Sequence, residues 1–340
     1  MEPMIILYYS IVALILLICM LAYIPLARRF NIMDQPGDRS SHTRPTVRGG
    51  GSIFLLAALL WFILSGFDQS LAIAALLLIG IISLIDDIFS LSNSLRFAVH
   101  LLAAILLFMQ LDIFSMHAWL VLAAFILTIG WINAFNFMDG INGITAFYSM
   151  ACLLSISLVN HAQWYIGLIT TEGHLLAWQP FLPGRLLGTM AVGVMVFSFF
   201  NARKHARVFA GDVGSISMSF ILAWMMIALM IHTREPGWIL FFVVYGIDTV
   251  STILIRLYRR ENIFKAHRLH LYQLLANQHK WPHLKVAALY ALLQMVINLA
   301  TIVLFFNGML TWSMVFTLTV FFWIIYIIVR MKLLTAKGTE

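Results

Sequence analysis

Charged side chains are scarce in this chain: they make up 10% of its 340 residues, whereas a soluble globule carries about a quarter. With 62% of residues hydrophobic and a mean hydropathy of +0.95, a water-soluble fold is excluded. Cysteine is nearly absent too. Cys19 and Cys152 lie inside apolar runs without motif spacing, so they are expected to pack, with no disulfide framework or thiolate metal site. No fixed-period repeat or low-complexity tract marks a boundary, and residues 1–340 are read as one integral membrane domain. The longest polar segments, 28–49 and 258–283, fall short of the roughly 50 residues an independent nucleotide-binding domain needs. Any nucleotide site must therefore be assembled from loops and helix ends.

What fills the chain is apolar sequence. Eleven runs, at 4–27, 50–67, 71–85, 95–111, 118–135, 143–159, 185–201, 213–231, 238–257, 284–305 and 312–330, approach the length that crosses a bilayer. The expected fold is all-α and polytopic, with about 11 transmembrane helices. The topology of 160–184 is left open. The first run starts at Glu2, without basic residues ahead of it, is too long for a cleaved signal, and leads into Arg28 and Arg29. It is expected to remain as an anchor. Of 21 lysines and arginines, only Arg185 and Arg234 fall on the side opposite the rest. By the positive-inside rule the crowded face is cytoplasmic, which puts the N-terminus outside and the C-terminus inside. The formal charge of +7 then belongs to the inner face. It suits anionic lipid headgroups or nucleotides and does not point to nucleic acid.

Three acidic signatures share that face. Asp86 and Asp87 follow a run of only 15 residues, about 22 Å of helix, which predicts a pair recessed below the interface. The segment Asn133 to Gly143 supplies Asn133, Asn136, Asp139 and Asn142. Its Asp-Gly and Asn-Gly steps argue for a turn. In VFAGDVGS, 208–215, Asp212 reads as an N-cap with Ser215 three residues on, at a helix start that also attracts phosphate. The first inner loop carries Arg39, Arg44 and Arg48 ahead of a triple glycine, 49–51, that permits close backbone approach. A later loop holds His267, Arg268 and His270. The histidines are candidates to titrate near neutral pH or meet a diphosphate, and the arginine to grip phosphate. Asp248 is an intramembrane acid whose partner the sequence does not name. His100 is expected to pack. Magnesium, with manganese as an alternative, fits carboxylates beside phosphates; zinc does not.

DDIFSLS at 86–92, NAFNFMDGING at 133–143, VFAGDVGS at 208–215 and HRLHLYQ at 267–273, in that order, resemble the polyprenyl-phosphate N-acetylhexosamine-1-phosphate transferases, the family that includes phospho-MurNAc-pentapeptide translocase. Within it the chain looks closest to the bacterial enzymes that start O-antigen or other surface-glycan assembly. The resemblance implies transfer of a sugar-1-phosphate from a UDP-N-acetylhexosamine to undecaprenyl phosphate, with release of UMP, at the cytoplasmic face of the bacterial inner membrane. It implies that Asp86 and Asp87 activate the lipid phosphate, that Asp87 and Asp212 organise magnesium, and that Asp212 is the metal-binding aspartate. Asn133, Asn136, Asp139 and Asn142 then belong to the nucleotide-sugar segment, and His267, Arg268 and His270 to a diphosphate loop. A homodimer is an assembly this reading leaves open. Asn142 stands where many members carry a second aspartate, HRLH replaces a triple histidine, and TRPTVRGGG replaces TPTMGG; these departures argue against a MurNAc-pentapeptide substrate. The rival readings are a transporter or lipid flippase using Asp248, and a non-catalytic scaffold.

Overall fold

The structure, a computed structural model, describes residues 2–36, 41–42, 44–165, 178–263 and 267–335. Arg39 and the middle of the stretch whose topology was left open, 166–177, lie outside them. Among the described residues the chain is nearly all helix. In order come α1 (Glu2–Arg29), α2 (Ser52–Leu64), α3 (Ser70–Phe89), α4 (Asn93–Gln110), α5 (Ala118–Met138), α6 (Ile144–Asn160) and the short α7 (Ala162–Tyr165). Then follow α8 (Leu186–Asn201), α9 (Gly211–Thr233), α10 (Val243–Tyr258), the three-residue α11 (Leu271–Gln273), α12 (His283–Phe306) and α13 (Trp312–Thr335). The one sheet among these residues is a two-residue antiparallel pairing of β1 (Met33–Asp34) with β2 (Thr46–Val47).

Every one of the eleven apolar runs is a helix, and eight helices are long and apolar enough to cross a bilayer. Ser52–Leu64, Ile144–Asn160 and Leu186–Asn201 are shorter. One expectation is corrected. The third helix does not stop before Asp86 but runs 20 residues through both aspartates, about 30 Å, so shortness of the span does not recess them. They are withdrawn from water by neighbouring elements instead.

Helix α9 forms the centre, packed by α3, α5, α2 and α6. Its residues from Val213 through Met226 are all buried, which is why its sequence is apolar or small all round, with Ser215, Ser217 and Ser219 taking the tightest places. Outer helices such as α1 and α13 expose Leu, Ile and Phe as lipid-facing surface must.

Irregular backbone at this depth requires internal partners. The 3₁₀ segment Pro236–Phe242 breaks the regular helix before α10, and Gln294 of α12 serves it: the amide nitrogen donates to the Leu240 carbonyl at 2.8 Å and the amide oxygen accepts from Val244 N–H at 3.0 Å. Tyr148 hydroxyl and Asn298 complete that buried network. Arg185, stacked 4.7 Å over Tyr8, precedes α8, and Arg234 follows α9. Both stand a helix length from the opposite ends of α8 and α9, where the basic and acidic residues gather.

Candidate active site

The loop between α1 and α2 is laid against the start of α9. Gly50 and Gly51 donate their N–H groups to the Phe209 and Ala210 carbonyls at 2.8 and 3.0 Å, and Val47 bridges Val208. Gly51 packs backbone to backbone against Gly214, so the triple glycine serves helix approach. Gly211 has φ +71°, and a side chain there would meet Asp87 Oδ2 at 2.5 Å and Gly49 N at 2.8 Å. Only glycine lets α9 begin this close to α3.

Asp87 reaches across that gap. Its Oδ1 accepts the Asp212 N–H at 2.9 Å and its Oδ2 the Val213 N–H at 3.1 Å, so Asp87 of α3 caps α9 from another helix. The N-cap position itself is Ala210, and Asp212 sits in the first turn, which corrects the reading of Asp212 as the cap. Arg48 Nε lies 2.7 Å from Asp87 Oδ1, and its Nη2 lies 3.3 Å from Asp212 Oδ1. Burial alone would lower the Arg48 pKa, but the Asp87 and Asp212 carboxylates outweigh it and hold that pKa above its usual value. From the other side Arg96 Nη1 lies 2.8 Å from Asp86 Oδ2 and 3.6 Å from Asp212 Oδ2. Three carboxylates thus share two guanidinium groups, leaving one formal negative charge.

Asn136, two residues before the end of α5, donates to Asp212 Oδ1 at 3.3 Å and to Ser215 Oγ at 2.8 Å. Asp139 directly follows α5 and accepts the Thr145 hydroxyl at 2.5 Å. Burial raises its carboxyl pKa to about 6, with Thr145 pulling the other way. Asp139, Asn136, Asp212 and Arg48 line a cleft of about 300 Å³, together with Asp34, His42 and His283.

The remaining expected residues divide. Asn142 lines this cleft, but its amide is committed to the Arg203 and Lys204 carbonyls at 2.8 and 3.3 Å, where it folds the loop after α8. Asn133 is not part of the cluster: it is exposed and donates to Ile129 of its own helix. His267, Arg268 and His270 do not line the cleft. Their loop stands beside it, with Phe137 6.5 and 6.4 Å from the two imidazoles, while Gln273 reaches the cleft. The expectation that this pair titrates near neutral pH fails for His267. Burial, His270 and Arg256 push it down to about 4, so it is uncharged at neutral pH.

Arg96 had been counted only as a charge that sets topology. It lies four residues past Ser92, the N-cap of α4, so it is an ionisable group inside a span. Such a group calls for a partner, and the closest acids in sequence are Asp86 and Asp87. His42 and His283 carried no pattern that sequence could show.

With this geometry in place, comparison with known proteins identifies the class. Residues 70–230 match the family described as glycosyl transferase family 4, a range that contains Asp86, Asp87, Asn136, Asp139 and Asp212. The chain is 24% identical over 296 residues to the phospho-N-acetylmuramoyl-pentapeptide-transferase of Thermotoga neapolitana, covering 81% of this chain and 89% of that one. It is 28% identical over 225 residues to the decaprenyl-phosphate N-acetylglucosaminephosphotransferase of Mycobacterium tuberculosis, covering 58% and 54%. These likenesses support the polyprenyl-phosphate hexosamine-1-phosphate transferase family as the class of this chain. The part it shares with the mycobacterial relative spans about half of that protein's length.

Proposed function

We propose that this protein transfers an N-acetylhexosamine-1-phosphate from a UDP-sugar to undecaprenyl phosphate at the cytoplasmic face of the bacterial inner membrane. A phosphate oxygen of the lipid attacks the sugar-linked phosphorus of the donor, the bond from that phosphorus to the bridging oxygen breaks, and UMP leaves. The observation that carries this reading is the convergence of Asp86, Asp87 and Asp212, from two distant helices, on Arg48 and Arg96 beside an open cleft. Relatives named for N-acetylmuramoyl-pentapeptide and N-acetylglucosamine phosphate transfer support the reaction class. The proposed role is the first membrane step of O-antigen or other surface-glycan assembly.

Two anionic reactants repel, and the site supplies the means to offset this. Arg48 and Arg96 are fixed by carboxylates yet about one-third exposed, at 35% and 33%, so they can also face phosphate oxygens. Asp212 is the accessible carboxylate at 21% exposure, whereas Asp86 is 7% exposed, with Oδ1 accepting the Leu91 N–H and Oδ2 bound to Arg96. A carboxylate facing a phosphate site suits magnesium, which takes one or two carboxylates plus substrate phosphates. Asp212 is therefore the residue we assign to hold it. Asp87 had been expected in that role, but its side chain is fully buried and its oxygens already accept two N–H groups and Arg48. Bound there, the metal would neutralise charge developing on the transferred phosphoryl group. Asn136 and Asp139 present hydrogen-bonding groups to the donor from the cleft wall.

Asp248 no longer argues for a transporter, because tyrosine hydroxyls and a backbone N–H surround it and it lines no described cleft. The deciding experiment incubates purified protein with undecaprenyl phosphate and a panel of UDP-sugars, with and without magnesium. UMP and a lipid product of matching mass are expected for one N-acetylated donor. Uptake of a substrate into sealed vesicles without covalent change would refute the reading.

A further inference from the structure

Asp248 lies wholly buried in α10, and nothing in the proposed reaction uses it. A carboxylate at that depth is costly unless donors surround it. Its Oδ1 accepts the Leu271 N–H at 2.9 Å and the Tyr326 hydroxyl at 3.1 Å, and its Oδ2 accepts the Tyr290 hydroxyl at 2.7 Å. Tyr326 in turn accepts from Arg330 Nη1 at 2.7 Å. The donors come from α11, α12 and α13, three elements that share no other polar centre of this kind among the described residues.

One of the three stands out by its place. Leu271 begins α11, immediately after His267, Arg268 and His270. His270 is 1% exposed, with its ring Nδ1 3.4 Å from Asp248 Oδ1, and its side chain also forms half of a capping box at the start of α11. The ring is held between that carboxylate and the His267 imidazole, whose centroid is 4.9 Å away. The loop is also tied by the Tyr272 hydroxyl donating to the Phe137 carbonyl at 3.0 Å and the His270 N–H donating to Gln273 Oε1 at 3.3 Å. Phe137 immediately follows Asn136, so displacement of this loop is felt at the cleft.

We propose that Asp248 is the positioning residue of the loop beside the cleft: its carboxylate fixes the Leu271 N–H and the His270 ring, and so sets where His267 and Arg268 meet the donor diphosphate. The inference rests on the proposed reaction for the role of the loop, and on geometry alone for its anchoring. It predicts an effect on the nucleotide-sugar and not on the lipid, because Asp248 contacts no residue of the Asp86, Asp87 and Asp212 cluster. Misplacement of a reacting group by about 1 Å can lower a rate about a hundredfold.

The test compares Asp248→Asn, which keeps the volume and one acceptor oxygen, with Tyr290→Phe, which removes a single donor. Donor and acceptor KM are measured separately, and hydrogen exchange is followed at 267–273. Asp248→Asn should raise donor KM about tenfold while acceptor KM stays within about twofold, as expected when only donor binding is lost. Exchange at 267–273 should quicken with α5 and α9 unchanged, and Tyr290→Phe should move both readouts the same way by less. His270→Ala should mimic Asp248→Asn, and the double variant should be no worse than either single one. Wild-type donor KM and exchange in Asp248→Asn would overturn the proposal, as would effects that multiply in the double variant or exchange that quickens throughout the bundle. If the wild-type protein releases no UMP from any donor, the reaction reading fails while the exchange comparison still decides whether Asp248 anchors the loop.

Discussion

Replacing Gly214 by alanine tests whether the backbone contact between the first loop and α9 sets the active geometry. A Cβ at 214 would lie 2.6 Å from Gly51 Cα and 2.9 Å from Ala210 Cβ. Ordinary contact needs about 3.4 Å or more, so loop and helix must separate by roughly 0.8 Å. Two effects compete. Alanine in a helix is favoured over glycine by about 0.5–1 kcal/mol, whereas overpacking costs about 1–3 kcal/mol. Because the opposing atom is backbone and cannot rotate aside, overpacking wins, with a net loss of about 1–2 kcal/mol. The same shift moves Arg48 away from Asp212, a contact already at 3.3 Å. A displacement approaching 1 Å gives a drop in kcat/KM for UMP release of roughly tenfold to a hundredfold. Gly130→Ala is the control, since a side chain there meets nothing within 4 Å. Thermal unfolding in detergent and UMP release should both be unchanged or slightly improved for it. A folded Gly214→Ala protein turning over at the wild-type rate would refute the claim that this contact positions the site.

The other expectations follow from single groups. Asp87→Asn leaves Arg48, itself about one-third exposed, beside a neutral amide and removes one acceptor from the start of α9, and a marked fall in UMP release is expected. Full turnover by that variant would exclude Asp87 from the mechanism. Asp139 has a folded pKa raised from 3.8 to about 6, so the unfolded chain gives up its proton first as pH rises. Wild-type stability should therefore decline relative to Asp139→Asn from about pH 4 until near pH 6 and level off above; parallel curves for the two proteins would remove Asp139 as the cause. Chelation of divalent ions should abolish UMP release, with recovery on added magnesium or manganese but not in an Asp212→Asn protein. Activity that survives chelation would refute the metal assignment.

The eleven helices were legible because each is an uninterrupted apolar run, and a lipid-facing or buried helix leaves no other pattern. Ends were less legible. The third helix continues through Asp86 and Asp87 because Arg96 and the α9 amides compensate both carboxylates, and those partners lie in other parts of the chain. Asp212 looked like a cap because its local sequence permits one, yet the cap arrives from α3. Asn133 and Asn136 carry the same amide in sequence, but Asn133 bonds its own helix while Asn136, nearer the end of α5, reaches Asp212. Local chemistry nominates such residues. Which of them meet is decided by packing between distant segments.

Asp87 occupies the two amide hydrogens that would otherwise greet an incoming phosphate at the head of α9. The protein thus carries its own stand-in anion, installed where the helix field is strongest. Another anion finds those two N–H groups already taken, and in the proposed reaction substrate phosphates would meet Arg48 and Arg96 instead. On that reading the head of α9 is closed to competing anions before any substrate arrives.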